Sequence, residues 1–200
     1  MKAILSSVYF GSIEYYTVLK NAEEVLIDSH EHYIKQTYRN RCEIYGANGK
    51  LKLTIPLLRR GKRVPVNDAH IENEHAWRKL HWRSIESAYR SSPYFEFYEH
   101  HFIPIFEKDH TQLFELNQDI QNKIIQILNL DVVVKETESY QKEHSGYTDY
   151  RDAIHPKIPP KNKLADKRYI QVFESKYGFI PNLSILDLLF NEGPNAISFL

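Results

Sequence analysis

The sequence predicts a single α/β domain with a mixed sheet. Three features carry this: a βαβ pattern at the N-terminus, a hairpin signal around Asn48 and Gly49, and helical periodicity from Glu74 to Leu130. Residues 3–9 (AILSSVY) and 24–28 (EVLID) are short apolar runs on either side of the helical stretch IEYYTVLKNA. A strand, helix and strand in that order place the two strands parallel, through a right-handed crossover. Their C-terminal ends then share one edge, with Tyr9, Phe10 and Gly11 on one strand and Ser29, His30 and His32 on the other. Open α/β sheets bind ligands at such edges.

The next runs, CEIYG and KLKLTIPLL, alternate around Ala47-Asn48-Gly49, where Asn and Gly can supply the positive φ angles of a tight hairpin. VPVNDAHI, with prolines at its front, suits an edge strand after the basic loop RRGKR. From Glu74 the period becomes helical, and Trp77, Leu80, His81, Ser84, Ile85, Ala88 and Tyr89 share a face. Ser91-Ser92-Pro93 ends that helix and caps a second, PYFEFYEHHFIPIFEK, in which Pro104 should kink or break the chain. A third helix carries Leu113, Leu116, Ile120, Ile124, Ile127 and Leu128, the cleanest amphipathic pattern in the chain. The apolar stripes of the last two helices serve an internal core or a dimer face alike. DVVVKE returns to strand. Residues 137–168 lose all period at Gly146, Pro156, Pro159 and Pro160 and read as a flexible flap. The chain closes with a strand-like YIQVFE and a helix that starts near Asn182, a good N-cap, and stops at Gly193-Pro194.

Composition narrows the function. Two hundred residues, 42% of them hydrophobic and without a Gly/Ser-rich linker, make one domain over residues 1–200. The 26 basic and 26 acidic side chains cancel, which excludes the broad positive field of a non-specific nucleic-acid binder. MKAILSSVYF is too short and too soon polar for a signal peptide or a membrane span, so a cytoplasmic location is expected. A single cysteine rules out an intrachain disulfide and a Cys-based zinc cage. His30 and His32 stand two apart without a third ligand at a recognised spacing, so no metal is expected. There is no glycine-rich phosphate loop and no cofactor motif.

The chemistry concentrates between Asp28 and Cys42, DSHEHYIKQTYRNRC. A segment caught between two apolar runs stays near the core, so its cations should line a concave face. Arg39, Asn40 and Arg41 alternate direction in an extended chain. A guanidinium suits phosphate or carboxylate, and Lys35 adds a second charge. The competing reading pairs an arginine with a core-edge carboxylate such as Asp28 or Asp187. His81, four residues after Trp77, is either a general base or a satisfied core histidine. Convergence of His30 or His32 and the Tyr89 hydroxyl on it would mark a catalytic cluster, with Tyr9 and Trp77 as neighbouring substrate contacts. Cys42 beside Arg41 is either a thiolate nucleophile or a small apolar filler.

Several segments in order, SxYFGxxEYY, HEHYIKQTYRNR, LTIP, WRKLHWxSIxxAYRxSPYFxFY, YIQVFE and GFIPNLSILDLLFNEGP, resemble the WbqC-like family of bacterial proteins. The resemblance spans nearly the whole chain, and YRDAIHPK is similar to the branch common in Bacteroidetes. Ser7 and Val8 stand where many members have Gln-Pro, and Cys42 where many have Asn. The family name comes from surface-polysaccharide gene clusters, so the resemblance implies a modifier of nucleotide-linked sugars. The expected activity is a small-molecule transferase that moves an acyl or aminoacyl group onto a nucleotide-linked amino sugar. In that scheme Lys35, Arg39 and Arg41 hold phosphate, and His81 or His30 takes the proton of the attacking amine. The alternatives are a non-catalytic binder of an anionic small molecule and a cysteine acyltransferase acting through Cys42.

Overall fold

The two apolar runs near the N-terminus form β1 (Lys2–Ser6) and β2 (Glu24–Asp28), joined by α1 (Ile13–Asn21). The structure is a computed structural model and describes residues 1–58, 63–161 and 167–200. The strands pair in parallel from Lys2 with Glu24 to Ser6 with Asp28, as the crossover pattern requires. Seven consecutive residues of α1, Ile13 to Leu19, are buried, so the helix packs on all sides.

The hairpin follows as β3 (Arg41–Gly46) and β4 (Gly49–Thr54), in register from Arg41 with Thr54 to Gly46 with Gly49. Only Gly49, with φ of 97°, takes a left-handed conformation at the turn; Asn48 does not. Three helices come next: α2 (Trp77–Tyr89), α3 (Phe95–Glu107) and α4 (Leu113–Leu128). Helix α2 begins at Trp77 rather than Glu74, because Glu72 Oε1 accepts the Glu74 N–H and holds that residue outside the helix. Helix α3 does not break at Pro104. The proline lies in the last turn, so only the carbonyl four residues back loses its donor. Asn129, with φ of 49°, ends α4 in the left-handed conformation typical of helix C-termini.

Strand β5 (Val133–Glu136) then pairs with β2, and the two-residue β6 (Thr148–Asp149) with β1. The four parallel strands run in the order β5-β2-β1-β6, and β3-β4 form a second, antiparallel sheet. The parallel and antiparallel strands of the expected mixed sheet are therefore divided between two sheets, since β5 and β6 occupy both free edges of the β1–β2 pair. Part of the segment read as a flap is thus a sheet edge; residues 162–166 within it lie outside the described residues.

Two further expectations change. VPVNDAHI is not a strand but a 3-10 turn at Val66–Asp68 with single bridges, His32 to Pro65 and His70 to Gln112. Pro65 has no N–H to continue a ladder. The preceding RRGKR falls largely on residues 59–62, outside the described residues. YIQVFE forms no strand either, and it leads into α5 (Glu174–Tyr177). The last helix, α6 (Ile185–Glu192), is capped by Ser184, whose Oγ accepts the Leu186 N–H at 3.3 Å. Asn182, at φ of 52°, instead caps α1: its Oδ1 accepts the Glu14 N–H at 2.9 Å. One apolar cluster joins β1, β2, the hairpin, α1 to α4 and α6. No helix among the described residues is long and apolar enough to cross a membrane.

Candidate functional site

The C-terminal edge of the parallel sheet, where a ligand was expected, is filled by its own ion pairs. Asp28 is fully buried and accepts Arg151 Nη1 at 2.6 Å, the backbone N–H groups of His30 and Glu31, and the Thr137 hydroxyl. Arg151 also donates to Asp149 and to the carbonyls of Gln141 and Lys142, and its charge is held more firmly than usual, first by Asp149 and then by Asp28. Arg39 is equally committed. Its Nε reaches Glu31 Oε1 at 2.8 Å and its Nη2 reaches Glu31 Oε2 at 2.5 Å, with both side chains buried. Burial pushes the Glu31 carboxyl up, against the pull of Arg39. The core-edge carboxylate is therefore Glu31, rather than Asp28 or Asp187. His30 is half-buried with Nδ1 at 3.0 Å from Ser29 Oγ, and the exposed His32 stacks on Tyr140.

The expected catalytic cluster does not assemble. His81 Nδ1 lies 2.9 Å from the Tyr9 hydroxyl, and Trp77 packs edge-on against the imidazole. Burial lowers the His81 pKa to about 4, partly offset by a hydrogen bond with the Thr54 backbone, so the ring is neutral at physiological pH. Tyr89 lies eight residues further along α2, about 12 Å away along the axis. Its hydroxyl donates to Asp187 Oδ1 at 2.8 Å and accepts the Tyr45 N–H. Asp187 also accepts from Tyr169 and Gln171, and burial raises its pKa to about 6. His81, His30 and Tyr89 thus belong to three separate local networks, and His81 is a satisfied core histidine. Cys42 is fully buried, and burial followed by the Glu43 charge pushes its thiol up. Strand alternation turns it away from Arg41, which removes the cation a thiolate would need.

Three of the expected ligand contacts do meet. Lys35, Asn40 and Arg41 line a cavity of about 680 Å³ between the 33–41 segment, the end of the hairpin and residues 64–70. Short ladders fix its walls. Tyr33 N–H donates to the Val64 carbonyl and Leu58 N–H to that of His70, both at 2.9 Å. Asn40 clamps Ile55 twice at 2.8 Å, donating through Nδ2 and accepting the Ile55 N–H on its carbonyl. Two of the cavity residues each keep a buried side-chain atom without a hydrogen-bond partner, Arg41 Nε and Asn40 Oδ1, as four residues elsewhere among those described also do. Such a group costs about 1–3 kcal/mol if nothing satisfies it. Gln36, in the same wall, holds φ of 64°, a conformation that disfavours a residue with a Cβ by roughly 1 kcal/mol.

The cavity also contains two residues that the sequence did not single out. His70 Nε2 lies 3.4 Å from Asp68 Oδ1, and both side chains face the space that Arg41 lines. Their Asp-x-His spacing is too common to signal a site. Trp77 and His81 line a different groove, of about 720 Å³, which shares Thr54 with the first. Among the described residues no three His, Cys, Asp or Glu side chains are grouped to hold a metal ion.

Fold and site define an α/β protein with a cation-lined cavity between its hairpin and the loops that follow β2. Residues 7–155 match the WbqC-like protein family, a span that includes the whole cavity, and the chain belongs to that family. It is similar to a Mycobacterium tuberculosis (strain ATCC 25618 / H37Rv) protein named "Uncharacterized protein Rv1507c", 26% identical over 223 residues, 99% of this chain and 96% of that one. No solved structure matches the chain.

Proposed function

We propose that the protein binds an anionic small molecule in the 680 Å³ cavity and transfers an acyl or aminoacyl group to the amine of a nucleotide-linked amino sugar. The observation that carries the reading is the pair of cations, Lys35 and Arg41, that line one cavity together with the Asn40 amide. The cations suit phosphate, and the amide suits a hydroxyl or amine. Arg41 and Lys35 hold the phosphate, and Asn40 orients the acceptor. His70, steadied by Asp68, takes the amine proton as nitrogen attacks the acyl carbon of the phosphate-bearing donor; the C–N bond forms, the bond from the acyl carbon to the phosphate oxygen breaks, and His70 returns the proton to the departing phosphate. Arg39 plays its part through Glu31, by shaping the loop, and His81 plays none in this chemistry. The surface-polysaccharide setting implied by the family resemblance, and a cytoplasmic location, agree with such a substrate.

Titration calorimetry with pyrophosphate tests the binding half. Arg41→Ala is expected to weaken binding about tenfold to a hundredfold, the loss of a charge-assisted hydrogen bond, whereas His81→Gln leaves the affinity of the folded protein unchanged. Unaltered pyrophosphate affinity in Arg41→Ala contradicts the assignment. A non-catalytic binder would use the same cavity and tolerate His70→Gln, and a transferase would keep affinity in that variant and lose turnover.

A further inference from the structure

We infer that the cavity recognises a phosphate group bearing an aliphatic chain, as in an acyl phosphate whose acyl–oxygen bond breaks as the amine forms its C–N bond and phosphate leaves, so that the group transferred is an aliphatic acyl group rather than an aminoacyl one. This rests on the anion-binding reading of the same cavity. Beside Lys35 and Arg41 the lining turns apolar, through Tyr33, Ile34, Leu57, Leu58 and Val64. Tyr33 and Leu57 pack against the core, but Ile34 is 45% exposed and Leu58 44% exposed. Large aliphatic side chains left in water next to paired cations do nothing for a bare phosphate.

Their backbones are held in place. The Thr37 hydroxyl donates to the Ile34 carbonyl at 2.7 Å, and the Leu58 N–H is held by His70. A cavity of about 680 Å³ also far exceeds a phosphate and falls in the range of sites for larger organic ligands. A ligand with a charged end at Arg41 and a chain over Ile34 and Leu58 accounts for both walls at once. A polar aminoacyl group would leave the second wall wet and its own ammonium beside two cations.

Calorimetry on the full chain with inorganic phosphate and then its ethyl, butyl and hexyl monoesters tests this. Each methylene buried on the apolar wall is expected to tighten Kd by about fourfold. Ile34→Ser and Leu58→Ser, both at exposed positions that folding does not depend on, are expected to flatten the series and leave inorganic phosphate unaffected. Monoesters that bind no tighter than an Arg41-dependent inorganic phosphate overturn the inference and leave the anion reading standing. No binding by any of them overturns both. Flotation with phosphatidylcholine vesicles containing phosphatidic acid separates the sources of the chain. Recruitment that Ile34→Ser abolishes assigns it to a lipid, and absence of recruitment with the ester series intact assigns it to a soluble donor.

Discussion

Arg151→Ala is expected to lower the free energy of unfolding by about 3–5 kcal/mol in a urea titration. The change strands Asp28, which has no exposed surface, and removes the donor that holds the Gln141 and Lys142 carbonyls. A buried charge without its partner is costly because the low-dielectric interior cannot replace the solvation it lost. The loss is a large share of the roughly 5–15 kcal/mol that holds a typical domain together. Proteolysis should also speed up across residues 137–149, whose end is paired with β1 by the two-residue β6. A loss below about 1 kcal/mol is the behaviour of an exposed pair and contradicts the buried network.

Arg39→Ala is expected to cost a similar 3–5 kcal/mol, for the same reason at Glu31. Here the control matters as much as the variant. In a double-mutant cycle of Arg39→Leu and Glu31→Leu, the double variant should recover most of the loss seen in either single one, because removing both charges removes the desolvation penalty. The surviving folded protein should bind pyrophosphate within about twofold of the parent, since additivity holds for groups that do not share a ligand. Arg39 and Arg41 therefore separate by readout: one variant loses stability and the other loses ligand. An Arg39→Ala protein as stable as the parent but unable to bind pyrophosphate would place the guanidinium on the ligand instead.

This division between two arginines shows what the sequence made legible and what it did not. Alternation in an extended chain puts Arg39 and Arg41, two apart, on the same face, yet the structure sends one to Glu31 and the other to the cavity, because Arg39 and Asn40 still belong to the irregular turn and only Arg41 lies in β3. The partner Glu31 was not legible because the turn after β2 is irregular, and no periodicity says which carboxylate it brings inward. The Asp68–His70 pair was hidden in the same manner. Its segment alternates like a strand, yet Pro65 leaves it as a 3-10 turn with single bridges.

YIQVFE shows the opposite error. Its alternation is real, since Tyr169 and Gln171 are buried and Ile170 is 79% exposed. The inward groups spend their hydrogen bonds on Asp187 rather than on a neighbouring strand. Long local patterns, the βαβ start, the hairpin and α2 to α4, were readable because each is fixed by spacing within one segment. The two-residue β6 and the Asn182 cap on α1 were not, because each depends on a partner more than a hundred residues away. His81 falls between these cases. Its place on the apolar face of α2 was readable, but its neutral state comes from burial by distant elements, against the opposing hydrogen bond with the Thr54 backbone.

A crystal structure of the protein soaked with pyrophosphate tests the central claim most directly. The anion is expected about 3 Å from the Arg41 guanidinium, with Lys35 turned toward it and Arg39 still paired with Glu31. An anion bound instead at Arg78 and Lys79, in the groove between α2 and α3, would contradict the account.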